Sequence, residues 1–159
     1  MEKKIKMAKL NAEFNKKNND LKARKQMVEA GKHAALQQID NEYHEKKREL
    51  LADIADVRKK KEGIPFDDPR RYDLSDEIRN IEDMLNIIRD ERDIKARRVA
   101  HEAFADLMEL EEEGRRLGEW LEDEKIKVME ELHAAKLAKE AVEFLQSPHI
   151  EQEEEVGEQ

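Results

Sequence analysis

Cysteine is absent from the 159 residues, which excludes disulfide frameworks, thiolate metal sites and thiol nucleophiles. Serine occurs only at Ser75 and Ser147. Neither sits in a strand-to-helix nucleophile turn, so serine-hydrolase chemistry is excluded as well. Aromatic side chains make up 4% of the chain, with a single Trp. That is too little bulk to fill the middle of a compact sphere, whereas a structure two helices wide needs only a narrow apolar seam. Gly114 and Gly118 lack the following Lys-Ser or Lys-Thr and the preceding strand of a phosphate loop. No apolar run approaches the roughly 20 residues of a membrane span. The lysines of Met1-Glu2-Lys3-Lys4-Ile5-Lys6 have no apolar stretch behind them, so no secretory signal is expected. The expected setting is the cytoplasm or the interior of a virion or similar particle, with no membrane contact.

What is abundant is charge. Asp, Glu, Lys and Arg reach 45% against roughly a quarter in an average domain. Much of the rest is Ala and Leu, and these residue types lose little rotamer freedom in a helix. Disorder competes at this charge density, but the apolar residues recur at helical spacing. Leu74, Ile78, Ile81, Leu85 and Ile88 alternate steps of four and three, the seam of a coiled coil. Leu107, Leu110, Gly114, Leu117 and Leu121 repeat the pattern, followed by Val128, Leu132, Ala135 and Val142. Upstream, Phe14, Leu21, Val28 and Ala35 lie seven apart, and Leu36, Tyr43, Leu50 and Val57 continue displaced by one residue. The displacement follows Gly31, where a kink or change of winding is expected. Gly114 and Gly118 mark a second such place, either a bend or a close helix approach.

Gly63-Ile64-Pro65-Phe66-Asp67-Asp68-Pro69 cannot continue a helix, because Pro lacks the N–H and restricts its predecessor. The sequence therefore predicts an all-α fold, a long antiparallel helical hairpin. A first helix spans 1–62, a Pro/Gly turn 63–74, a second helix 75–146 capped by Ser75, and an acidic tail 147–159. Charge supports the pairing. Residues 1–62 carry 17 Lys and Arg against 11 Asp and Glu, and residues 63–146 carry 14 against 24. Like arms repel and unlike arms attract, although each exposed pair contributes only tenths of a kcal/mol. With Glu62 facing Ser75, the numbers of facing residues add to about 137. The end of the second helix, with Ala138, Ala141, Val142, Phe144 and Leu145, is then left without an intramolecular partner unless the helices bend.

Candidate sites are few. Glu130 and His133 form the Glu-x-x-His step that di-iron bundles use, but no second such pair exists; His133 reads as a solvated helix residue, and no metal or cofactor is expected. Trp120 falls near Phe14 in the facing register, as core packing. At the turn, Asp67 and Asp68 form an acidic tip. In architecture this resembles the hairpin regulators that enter the secondary channel of bacterial RNA polymerase, with no matching motif. Arg58, Lys59, Lys60, Lys61, Arg70 and Arg71 surround those acids, so the tip also offers cations for phosphate or an acidic protein surface. Pro65 and Phe66 supply an apolar anchor. The lysine-rich first arm is a possible electrostatic footprint for nucleic acid, but it lies against an acidic arm and has no aromatic platform for bases.

These features predict a non-enzymatic structural or assembly protein that bridges components of a larger particle, with protein partners and an oligomeric or higher assembly. An acidic tail of this kind orders only where a large assembly immobilises it, as in a phage virion. The alternatives are an adaptor that inserts its tip into a partner enzyme or export machine, as ATPase-stalk coiled coils do, or an assembly chaperone that holds clients on the bare helix end.

Overall fold

In the computed structural model, residues 1–146 are described; the acidic tail assigned to 147–159 lies outside them. Two helices, α1 (Glu2–Glu62) and α2 (Arg70–Leu145), account for nearly all of the described chain. They pack against each other as a helical hairpin, and the described residues contain no strand.

The turn is shorter than the sequence suggested, because α2 begins at Arg70 and not at Ser75. Asp68 supplies the cap: its Oδ1 accepts the Arg70 backbone N–H at 2.9 Å, and its carbonyl accepts the Arg71 N–H at 3.1 Å. Pro69 follows in the turn directly before Arg70, where a missing N–H costs nothing and φ is already set. Asp-Pro was thus the start signal, and Ser75 sits half-buried inside the helix. At the other side of the turn α1 closes with a tight bond from Ile64 N–H to Lys61 O at 3.1 Å. Gly63 is not in the left-handed conformation of a usual glycine cap.

The chain divides into two compact units, one formed by Met1–Lys22 with the segment from Glu111 onward, the other by Ala23–Leu110. In the first, Leu21, Leu121 and Val128 are buried; in the second, Ile54, Val57, Ala103 and Leu110. No described polar side chain is buried. Each seam is therefore thin and purely apolar at its centre, edged by half-buried polar stems such as Asn18, Lys25 and Lys47.

Within each unit the facing register agrees with the antiparallel expectation. In the first, Lys6 Nζ lies 3.7 Å from Glu131 and the Lys17 ammonium sits 4.2 Å above the Trp120 ring. In the second, the Arg92 guanidinium lies 4.2 Å from the Tyr43 ring. The Trp120 ring face is thus taken by a cation, and Trp120 and Phe14, expected as core packing, are both half-buried. Along α1 the half-buried or buried positions 28, 32, 35, 39, 43, 47, 50 and 54 include three successive four-residue steps between 35 and 47. These steps produce the one-residue displacement read from the sequence. Helical structure runs unbroken through Gly31, Gly114 and Gly118. A Cβ added at any of the three would meet nothing within 4 Å, so none of them marks a close helix approach.

Candidate functional sites

The turn is built by the same residues that looked like its ligands. Arg70 folds back on Asp68 with Nη2 2.7 Å from Oδ2 and Nε 3.1 Å from the same oxygen. These bonds, the side-chain contact first and the Arg70 backbone N–H second, hold the Asp68 carboxyl below its ordinary value, and the ion pair raises Arg70. Arg71 donates from Nη1 to the Ile64 carbonyl at 2.9 Å and lies 5.2 Å from the Phe66 ring. Asp68, Arg70 and Arg71 therefore brace the loop. What the turn presents outward is partly aromatic: Phe66 is 90% exposed and Tyr72 76%, beside exposed Pro65, Asp67 and Arg70. Sequence reasoning passed over Tyr72, which lies exposed in the first turn of α2. A groove of about 340 Å³ beside the turn is lined by Arg58, Lys61, Glu62, Arg71, Ser75 and Ile78.

The second site is the end of α2. Past Glu131 only Leu132 is half-buried, and every described residue from His133 onward is exposed. Leu137, Val142, Phe144 and Leu145 are each more than half exposed. Ala138 and Ala141 lie bare among them, and so does Ala135, which the seam pattern had placed inside. Leu137, Ala141 and Leu145 follow one another at four-residue steps, with Ala138 beside them, so they form one stripe. Lys136, Lys139, Glu140 and Glu143 fall on the opposite side at 100° per residue. The end of α2 is an amphipathic helix with its apolar face uncovered.

Between the helices of the second unit an open groove of about 270 Å³ is lined by Met27, Gly31, Lys32, Val99, Glu102 and Asp106. A cavity of about 20 Å³ under Tyr43 and Arg92 holds about one water. Among the described residues, no three His, Asp or Glu side chains come together in a way that could hold a metal; Glu130 and His133 are exposed. No described helix is long and apolar enough to cross a membrane. Around the paired glycines of α2, Arg115 binds Glu112 at 2.5 Å and also Glu119, and Arg116 reaches Glu112 at 3.5 Å. Arg115 lowers the Glu112 carboxyl and is itself raised. This cluster spans Gly114 and Gly118, and it braces the helix where two glycines weaken it.

No protein-family model, no curated protein and no solved structure matches the chain.

Proposed function

We propose that this protein is a non-enzymatic structural or assembly element, a helical hairpin that joins partner proteins within a larger particle. The observation that carries this reading is the bare apolar stripe Leu137, Ala138, Ala141 and Leu145 on the last turns of α2. An amphipathic helix with an open face is a standard ligand for a groove or for another helix, and exposed apolar surface of this kind marks interaction sites. The turn supplies a second, separate contact. Phe66, with Arg71 behind its ring, and Tyr72 are the large, rigid side chains that dominate binding energy at interfaces. Two sites of different character suit a connector that holds two components together. A virion or comparable multi-protein assembly is the setting we favour for such a connector.

The test is affinity isolation of the full chain from its native source, with two variants run beside it. Leu137→Asp with Leu145→Asp should lose one partner and keep the other; Phe66→Ala with Tyr72→Ala should show the converse. Recovery of the same partners by both variants and by the parent chain contradicts a bridging role. Loss of every partner on changing the turn alone favours the second reading, an adaptor that seats its tip in a partner enzyme or export machine. The 90% exposure of Phe66 is the observation behind that alternative. Loss of every partner on changing the α2 stripe alone favours a chaperone or scaffold that holds clients there.

A further inference from the structure

The outer face of α2 carries a second apolar line that the hairpin does not use. Ile87, Ile94 and Met108 are each more than half exposed. They fall on one seven-residue spacing, whose remaining position is the exposed His101. Met84 and Phe104, also at least half exposed, flank this line. Ile94 is nine residues from the buried Ala103, two and a half helical turns, so the two point to opposite sides of the helix. Isolated exposed hydrophobics need no explanation, but a line at heptad spacing is the seam of a helix–helix contact. Here α1 already covers the other face.

The charges beside this line are ordered about its middle. On the N-terminal side of Ile94 stand exposed Asp90 and Glu91, and on the C-terminal side exposed Arg97 and Arg98. A helix laid alongside in the same direction would set Asp90 on Asp90 and Arg97 on Arg97. A helix laid antiparallel with its centre near Ile94 sets each acidic pair against a basic pair, and brings Ile94 to Ile94 and Ile87 to His101. The geometry points to a second copy of this chain, docked antiparallel through the outer face of α2 about a two-fold axis near Ile94. The surface is complementary to itself, as an isologous interface must be, and the like-charge clash disfavours the parallel arrangement. This inference is independent of the partner sites at the turn and the α2 end.

The absence of native cysteine makes the test direct. Sedimentation of the full chain should show a concentration-dependent dimer, weakened by salt. Ile94→Glu should weaken it by about 30-fold or more, the loss expected of a central contact, with helicity unchanged because the side chain faces outward. Under mild oxidation Ile94→Cys should link into a dimer by itself. Ile87→Cys should link to His101→Cys in a mixture but not to itself. A chain that stays monomeric at all concentrations, a dimer indifferent to Ile94→Glu, or self-linking by Ile87→Cys would each overturn the proposal.

Discussion

Asp68 shows how one side chain decides where a helix begins. It accepts the Arg70 backbone N–H and the Arg70 guanidinium together, so removing its oxygens frees a backbone donor at the start of α2. Asp68→Ala should lower the melting temperature followed by circular dichroism, and Asp68→Asn, which keeps a capping oxygen, should lower it less. The acid response has a definite sign. The folded carboxyl titrates below its ordinary value near 3.8, so its contribution is complete above that pH and is lost only as pH falls through the lowered value. The cap is therefore intact at neutrality, and a melting profile across pH 6–8 should show no step from this group. The glycines give an opposite expectation. With open space at the Cβ of Gly31, Gly114 and Gly118, each Gly→Ala change should stabilise the protein by up to about 1 kcal/mol. Chemical denaturation of the three variants measures this.

At the level of the helices, the legible part of the fold was periodic. Steps of three and four along Leu74–Ile88 and Leu107–Leu121 placed a seam that the structure covers, and the two prolines around Phe66 placed the turn. What escaped was local chemistry with two readings. Asp68-Pro69 has the form of a cap and a first helical residue, yet among Arg58–Lys61, Arg70 and Arg71 it also looks like a charged tip; only the hydrogen bonds separate the two. Likewise Gly31 coincides with a shift of register that four-residue steps farther along α1 accommodate. The exposed line Ile87–Met108 was hidden because a single sequence shows apolar spacing on both faces and does not say which one α1 covers. The structure makes the distinction measurable. Leu121→Ala, at a buried seam position, should cost about 2–5 kcal/mol. Leu137→Ala, at a bare one, should leave stability within about 0.5 kcal/mol. Denaturant titration of the pair separates the two classes, and equal losses at both positions would mean that the end of α2 is covered in the free chain.

For the molecule as a whole, every function argued above depends on the two helices of one chain pairing with each other, because that pairing determines which apolar faces are left for partners. It is tested most directly by the double variant Lys17→Cys/Trp120→Cys in this cysteine-free chain, at a pair whose side chains touch across the hairpin. Mild oxidation followed by denaturing electrophoresis and peptide mapping should give a disulfide within a single chain, formed equally well at high dilution. A bond that appears only between two chains and vanishes on dilution would contradict the hairpin.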